Sequence, residues 1–145
     1  MKINFKKLNE NAAIPVYGTE FSAGADLRAC ISEDIMINPG KVSIISTGIS
    51  CEIPERFFGM ICSRSGLAAK NAIVTLNSPG IVDADYRGEI KLIMINHSEV
   101  PFKVEHGMRL AQLILVPFEK GDWNEVQSLS ESIRGENGIG STGVR

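Results

Sequence analysis

The chain has 145 residues, with 15 Lys and Arg against 17 Asp and Glu and a formal net charge of −2. A length near 150 residues favours one domain with its own hydrophobic core. The nearly neutral charge excludes a generic polyanion binder, so we expect no nucleic-acid partner, and phosphate recognition would need a local cluster of cations. Hydrophobic residues make up 43% of the chain, which excludes a disordered polypeptide.

Cysteine usage and the N-terminal sequence indicate a cytoplasmic protein. The three cysteines, Cys30, Cys51 and Cys62, form no CxxC pair, and their odd number favours reduced, mostly buried thiols. With two histidines in the chain, the sequence does not favour a Cys/His zinc site. The N-terminus lacks the apolar core of a signal peptide, and no apolar run approaches the roughly 18 residues of a membrane span. We therefore expect no membrane partner.

The apolar residues follow the period of two that is typical of β-strands, with turn signals about every 8 to 12 residues. The rows are, in chain order, Ile35/Ile37, Val42/Ile44, Ile49/Cys51/Ile53, Phe58/Met60/Cys62 and Ile90/Leu92/Met94. Residues 109–117 are apolar on both faces, which predicts a strand that is sandwiched or lies at a subunit contact. Ile93, Ile95, Leu113 and Leu115 are candidates for burial between subunits.

Helical signals are weak: only residues 66–70 and 123–129 are expected to turn, and only briefly. The pattern therefore predicts an all-β sandwich or jelly roll of short strands over residues 1–132.

The last residues, 133–145, have a different composition, with four glycines and little apolar surface. Alone, such a segment should be a mobile arm. A frayed tail is one interpretation. The other is a phosphate cradle, because Arg134, Ser141 and Thr142 stand among backbone amides that are free to turn inward. The segment is not a Walker loop, since it has no GK[ST] ending and no following helix.

Two polar windows could carry chemistry. Residues 63–68 (SRSGLA) combine a cation, two hydroxyls and a glycine at the start of a possible helix, which suits either an anion site or an ordinary helix cap. Residues 77–89 contain Pro79-Gly80, a tight-turn signal that predicts a β-hairpin. Asp83 on its second arm could act as a general base or be a solvent-facing turn acid.

Two further windows place polar groups among small or apolar residues. In residues 23–29 (AGADLRA), Asp26 stands amid small side chains, which are typical of places where the backbone passes close to a neighbouring group. In the apolar segment that begins at residue 109, Arg109 and Gln112 need polar partners if they are buried. An internal ion pair would satisfy them as well as a ligand would.

Taken in order, five windows resemble the five motifs of the trimeric dUTPase family: AGADLRA, SRSGLA, GIVDADYRGEI, GMRLAQLI and RGENGIGSTG. They span residues 23 to 143. The resemblance implies a β jelly roll, a homotrimer whose three active sites lie at subunit contacts, and a C-terminal arm that crosses to a neighbour. It also implies Mg²⁺-dependent hydrolysis of dUTP to dUMP and pyrophosphate, which limits uracil in DNA and supplies dUMP for thymidylate synthesis.

The resemblance also assigns roles by position. Asp83 matches the catalytic acid that orients the attacking water, and Asp26 matches an acid that helps to hold Mg²⁺ through waters. Asn77 and Gly80 match residues that read the uracil edge, and Tyr86 matches the residue packed beneath the deoxyribose. Phosphate contacts fall on Arg64, Ser65, Gly66 and Gln112, and contacts of the arm with the nucleotide on Arg134, Ile139, Gly140, Ser141 and Thr142.

Ile139 stands where the family usually carries an aromatic residue that stacks on the uracil. An aliphatic side chain can cover the base but forgoes stacking, which contributes roughly 1–3 kcal/mol per base. We therefore expect weaker substrate capture with the chemistry retained, and Ile139→Phe should lower KM in steady-state kinetics. An unchanged or raised KM would contradict this expectation.

Two alternative functions remain open on the sequence. The first is deamination of dCTP on the same fold, which ammonia release from dCTP would reveal. The second is a binding module that holds nucleotide or a protein partner without turnover, which tight dUTP binding without product would reveal. The polar residues that hydrolysis requires are all present, and Ile139 is the one substitution that favours the second alternative.

Overall fold

The computed structural model describes residues 1–138, and within that range it contains twelve short strands and one helix. The strands are β1 (Asn4–Lys7), β2 (Val16–Tyr17), β3 (Gly24–Arg28), β4 (Ile35–Ile37), β5 (Val42–Ser46), β6 (Ile49–Glu52), β7 (Phe57–Ser63), β8 (Ile73–Thr75), β9 (Gly80–Val82), β10 (Lys91–Asn96), β11 (Phe102–Val104) and β12 (Arg109–Pro117). Helix α1 covers Ser65–Asn71, between β7 and β8. The predicted all-β architecture is therefore confirmed.

The largest sheet has the strand order β2-β3-β12-β7-β9, with antiparallel pairing throughout. β12 lies at its centre between β3 and β7. Leu110, Ala111 and Leu113 are buried, whereas residue 112 and residues 114–116 are half-buried. Three smaller sheets, β5-β10-β8, β1-β6 and β4-β11, complete the structure of residues 1–138.

One continuous core joins the sheets, because each contributes apolar side chains to the same cluster. Leu27 of β3, Ile37 of β4, Ile45 of β5 and Leu92 of β10 are each no more than 1% exposed. The predicted rows Ile49/Cys51/Ile53 and Ile90/Leu92/Met94 are buried. Leu113, a candidate for a subunit contact, is 8% exposed and belongs to this core.

Two predicted rows face outward. Val42 and Ile44 are 45% and 63% exposed, whereas their neighbour Ile45 is completely buried. Both faces of β5 are apolar in sequence, and the pairing of Ile45 with Leu92 of β10 decides which face enters the core. In β7, Gly59 and Ile61 are buried, and the row Phe58/Met60/Cys62 is half-exposed.

The helical predictions were half right. α1 contains residues 66–70 as expected, but residues 123–129 form no helix. Trp123 and Leu129 are 97% and 88% exposed, so this segment lacks the tertiary packing on which short helices depend.

Asn96, at the end of β10, is a buried polar residue whose side-chain amide links three neighbouring segments. Its Nδ2 donates to the carbonyls of Ile37 and Val100, both at 2.8 Å, and its Oδ1 accepts from the Ser98 amide at 2.8 Å. Asn96→Ala would leave these backbone groups unpaired, at a cost of about 2–4 kcal/mol of unfolding free energy. Urea unfolding at fixed protein concentration measures the loss, with exposed Asn124→Ala as the control. A loss below about 1 kcal/mol would contradict this role.

All three cysteines lie within the described residues, and none forms a disulfide. Burial raises the pKa of the Cys51 thiol; burial and, secondly, the nearby Glu89 carboxylate raise the pKa of the Cys30 thiol. Both thiols therefore stay protonated and weakly nucleophilic near neutral pH.

Across residues 1–138, the structure shows no helix of the length and apolarity that a membrane span requires.

Candidate active site

Asp26 is the centre of a polar cluster that three other side chains complete. Its Oδ1 accepts from Arg64 Nε at 3.0 Å and Gln112 Nε2 at 3.4 Å, and its Oδ2 accepts from Arg109 Nη1 at 3.3 Å. The Asp26 side chain is 8% exposed, and those of Arg64 and Arg109 are 25% and 48% exposed. The Asp26 cluster (Asp26, Arg64, Arg109 and Gln112) therefore presents guanidinium groups to solvent over a buried counter-charge.

The large sheet brings this cluster together. Gln112 of β12 lies directly opposite Asp26 of β3 on one side and Cys62 of β7 on the other, and Arg64 follows the end of β7. Gly24 makes room for the amide, since a Cβ there would lie 3.0 Å from Gln112 Cβ and 3.3 Å from its Cδ. Arg109 and Gln112 both contact Asp26, as the internal ion-pair interpretation expects, and a ligand contact of Gln112 stays a prediction.

Ser65 and Gly66 begin α1 immediately after the cluster. No side-chain hydrogen bond caps the helix, whose N-cap residue is Arg64. Ser63 instead accepts the Thr75 amide at 2.9 Å and joins β7 to β8. Ser65 and Gly66 are exposed, with open space around Gly66. Ser63 thus binds backbone, as the cap interpretation expected, but the backbone of β8 rather than that of α1, and no side chain caps the helix.

A second group of candidate residues lines a cleft of about 310 Å³ beside β9. Asn77, Gly80, Asp83 and Tyr86 lie in its wall, together with Glu89 and Lys91. We call this the β9 cleft. The positions that the resemblance assigns to the base, the sugar and the attacking water thus share one concave surface.

β9 is an edge strand among the described residues, paired with β7 alone. An edge strand presents unpaired backbone N–H and C=O groups along its open side. Gly80 allows close approach there, because a Cβ would lie 3.0 Å from Asn77 Nδ2 and 3.4 Å from Ile61 Cβ. The β9 cleft therefore combines backbone donors and acceptors with the Asn77 amide.

The predicted hairpin around Pro79-Gly80 is wrong in its pairing. β8 and β9 flank the turn, but β8 pairs with β10 and β9 pairs with β7, so the two arms enter different sheets. Periodicity predicts strands but not their partners, and here the chain changes sheets at the turn. The β9 cleft lies against β9 and the loop that follows it, and no residue of β8 lines it.

Tyr86 has a defined position although it is 46% exposed. Its hydroxyl donates to the Glu89 carbonyl at 3.0 Å. Its ring lies against Gly88, where a Cβ would be only 2.5 Å from Tyr86 Cζ. Asp83 begins the same loop, and its carbonyl accepts the Tyr86 amide at 3.2 Å. Within residues 1–138, the exposed Asp83 carboxylate forms no ion pair.

The C-terminal candidates do not join either group. Arg134 is exposed and donates from Nε to the Asn137 carbonyl at 2.9 Å. Ile139, Gly140, Ser141 and Thr142 lie outside the described residues.

A second cavity, of about 220 Å³, is lined mainly by apolar side chains, among them Phe5 of β1, Ile49 of β6 and Leu113 of β12. It offers no set of cations or carboxylates, so it does not compete with the polar sites for phosphate chemistry.

A sequence model described as dUTPase matches residues 10–143, nearly the whole chain. This chain belongs to the dUTPase family. The deoxyuridine 5′-triphosphate nucleotidohydrolase of Clostridium tetani is 50% identical over 141 residues, which are 97% of this chain and 96% of that protein. The dUTPase of Staphylococcus bacteriophage 80alpha, solved with dUPNHPP, has a TM-score of 0.91 and 28% identity over 99% of both chains. A dUTPase of S. aureus phage phi11, solved with a structural Mg(II) ion, shares the fold with a TM-score of 0.82 and 23% identity. The alignment spans 90% of this chain and 100% of the phage protein.

Membership of the dUTPase family makes the protein an enzyme, a hydrolase of dUTP. The sequence prediction of the family is confirmed, and the roles of individual residues stay predictions. Two residues that the structure places in these polar sites had no functional role assigned from the sequence. Arg109 joins the Asp26 cluster, and its signal was a cation on an apolar strand. Glu89 anchors the Tyr86 loop, and its signal was an acid directly before the buried Ile90.

Proposed function

We propose that the enzyme converts dUTP to dUMP and pyrophosphate by attack of water on the α-phosphorus, with Asp83 as the residue that orients and deprotonates that water. The observation that carries this proposal is the shared position of Asp83, Asn77, Gly80 and Tyr86 in the β9 cleft. A carboxylate within reach of the attacking water can accept its proton.

In the proposed step, the water oxygen forms a bond to the α-phosphorus while its proton passes to the Asp83 carboxylate. The bond from that phosphorus to the oxygen bridging to the β-phosphorus breaks, and the electron pair leaves with pyrophosphate. Phosphoryl transfer depends mainly on positioning and charge neutralisation. One carboxylate is therefore sufficient as the protein's base.

Recognition of uracil is assigned to β9 and Asn77. The open edge of β9 supports this assignment, because backbone groups matched to O4 and N3–H of uracil would face mismatched partners in cytosine. Asn77 Nδ2 would lie only 3.0 Å from a Cβ at position 80, so this amide stands beside the Gly80 backbone, where the base is proposed to bind. Rejection of the 5-methyl group of thymine on size is assigned to the same position.

Recognition of deoxyribose is assigned to Tyr86. A ring packed beneath the sugar occupies the space that a 2′-hydroxyl would need. The contact of the ring with Gly88 and the Tyr86–Glu89 hydrogen bond support this role, since both restrict the ring to one position.

Recognition of the triphosphate is assigned to Arg64, Ser65, Gly66 and Gln112. A triphosphate carries about four negative charges, and a planar guanidinium binds phosphate oxygens through paired donors. Asp26 supports this role because it holds Arg64 through Nε, and the Arg109 carbonyl accepts from Arg64 Nη1 at 3.3 Å, so two contacts orient the guanidinium.

The donor set fits a magnesium ion held chiefly by the substrate. Among the described residues, no group of three or more His, Cys, Asp or Glu side chains could hold a metal. Mg²⁺ commonly binds substrate phosphates and waters with few protein carboxylates. Asp26 Oδ2 accepts one protein hydrogen bond, so it retains capacity for a metal-bound water. When bound, the ion would neutralise charge on the phosphates.

Assembly into a homotrimer with shared active sites is also proposed. An apolar outer face on the β5-β10-β8 sheet supports it, because Ile44 lies opposite Ile93, and Val42 lies opposite Ile95. Exposed aliphatic faces of this kind mark protein interfaces. The face contains Ile93 and Ile95, which the sequence predicts to be buried between subunits.

The division into a β-barrel domain over residues 1–132 and an arm over 133–145 remains a proposal, with the arm closing over an active site of the trimer. Arg134, Ile139, Gly140, Ser141 and Thr142 are its proposed contacts. A cytoplasmic location is also proposed, and the disulfide-free cysteines support it.

The direct test is incubation with dUTP and Mg²⁺, followed by detection of pyrophosphate, with a sedimentation run on the same sample. Pyrophosphate from a trimer is the expected result. Ammonia from dCTP, or tight dUTP binding without product, would overturn the proposed reaction. A monomer in the sedimentation run would overturn the shared-site assembly.

A further inference from the structure

The loop between β9 and β10 carries both Asp83 and Tyr86, yet it lies at the surface, with residues 85–88 exposed. The ring of Tyr86 is restrained by the loop itself, through the Glu89 carbonyl and Gly88. The position of Tyr86 therefore depends on what holds Glu89.

The Glu89 side chain fastens the end of this loop to the turn between β5 and β6. Its Oε1 accepts the Gly48 amide at 2.8 Å, and its Oε2 lies 3.8 Å from Lys91 Nζ. A carboxylate that accepts a backbone N–H makes one of the stronger hydrogen bonds in proteins. The neighbouring Ile90 is held to the same turn, since its amide donates to the Ile49 carbonyl at 2.8 Å.

The turn that receives Glu89 is tightly packed. Gly48 has φ +67°, and a Cβ there would lie 2.7 Å from Ala12 Cβ and 2.9 Å from Cys30 Sγ. The Gly48 carbonyl also accepts the Leu8 amide at 2.8 Å. Because Gly48 is packed and hydrogen-bonded in this way, it cannot shift together with the loop of residues 85–88. Its N–H is therefore a fixed donor for Glu89.

We propose that Glu89 is a positioning residue for sugar specificity: by binding the Gly48 amide, it fixes the carbonyl that holds the Tyr86 hydroxyl, and so keeps the ring where it excludes a 2′-hydroxyl. This inference rests on the proposed role of Tyr86. Without the carboxylate, the peptide group between residues 89 and 90 keeps the bond from the Ile90 amide to the Ile49 carbonyl but loses the tether to Gly48. The carbonyl of residue 89 is then held on one side only, and the ring gains room to move. Discrimination between dUTP and UTP then falls, while Asp83 and the Asp26 cluster retain their chemistry.

The first experiment compares kcat/KM for dUTP and for UTP in the wild type, Glu89→Ala and Glu89→Gln. We expect the dUTP/UTP ratio to fall about tenfold in Glu89→Ala, the factor that corresponds to loss of one charge-assisted hydrogen bond. Glu89→Gln should keep most of the ratio, because its Oε1 can still accept from Gly48. Glu105→Ala is the matched control, since it also removes a carboxylate paired with a lysine, on β11.

The second experiment asks whether Glu89 acts through the Tyr86 hydroxyl. Tyr86→Phe removes the bond to the Glu89 carbonyl, so adding Glu89→Ala to that variant should change the ratio by less than twofold. Non-additivity of this kind reports a direct coupling. Thermal unfolding of each variant verifies that the protein is folded when the ratios are measured.

The outcomes distinguish failure of the Glu89 inference from failure of the proposed function. If the wild type prefers dUTP over UTP but Glu89→Ala loses activity on both nucleotides equally, the inference is wrong and the proposed function stands. Full additivity with Tyr86→Phe would likewise overturn it. If the wild type hydrolyses both nucleotides equally well, the role of Tyr86 and the inference fail together.

Discussion

Asp83→Asn should reduce the rate of pyrophosphate release by about three orders of magnitude, within the range that general-base catalysis contributes. Asparagine has the same shape but cannot accept the proton of the attacking water. In the described structure the Asp83 side chain forms no ion pair, and its backbone turn to Tyr86 does not depend on the carboxylate. The variant should therefore fold normally and bind nucleotide with nearly unchanged affinity.

Two measurements check this expectation: release of pyrophosphate from dUTP, and calorimetric binding of a non-cleavable dUTP analogue. Asp122→Asn is a suitable control, because it makes the same charge change in an exposed residue outside the β9 cleft. If Asp83→Asn retained more than about a tenth of the wild-type rate, another group would have to supply the base.

Arg64→Ala should lower kcat/KM for dUTP by about 10²- to 10³-fold, the usual effect of removing one preorganised donor from a developing negative charge. Asp26 holds the guanidinium through Nε at 3.0 Å, so Arg64 needs no reorganisation to bind phosphate in its proposed role. Arg64→Lys should recover only part of the loss, because an ammonium group cannot reproduce the planar arrangement of donors. Asp26 keeps Arg109 and Gln112 as partners, so the variant should remain folded.

Steady-state kinetics with dUTP measures the effect. The control is Lys70→Ala, which removes one positive charge from the last turn of the same helix, α1. Equal losses in Arg64→Ala and Lys70→Ala would show that net charge rather than the Asp26–Arg64 geometry governs substrate capture.

Strand positions were predictable where one face of the strand is apolar and the other is not. Ile49, Cys51 and Ile53 alternate with polar or small residues, and all three are buried as expected. β5 offers Ile44 and Ile45 in succession, so alternation alone cannot decide which enters the core. Pairing of Ile45 with Leu92 decides it, and that pairing joins residues far apart in the chain.

The sequence predicted which short segments contribute to the candidate site, but not how their side chains are arranged in space. Asp26, Arg64 and Gln112 come from segments separated by tens of residues, and they meet only because β3 and β7 flank β12. Residues 77–89 were predicted to form a hairpin, but β8, before the Pro79-Gly80 turn, pairs with β10, and β9, after it, pairs with β7. The assigned roles of these residues remain predictions that the variants above can test.

By itself, the sequence determined the all-β class, the family and the identity of the polar residues at each window, because alternation and residue type are local properties of the chain. Tertiary structure decided the rest: which apolar face of β5 is buried, which residues surround Asp26, and how the Glu89 carboxylate meets Gly48. Each of these depends on contacts between distant segments. The free energy of such contacts is gained only once the strands have paired.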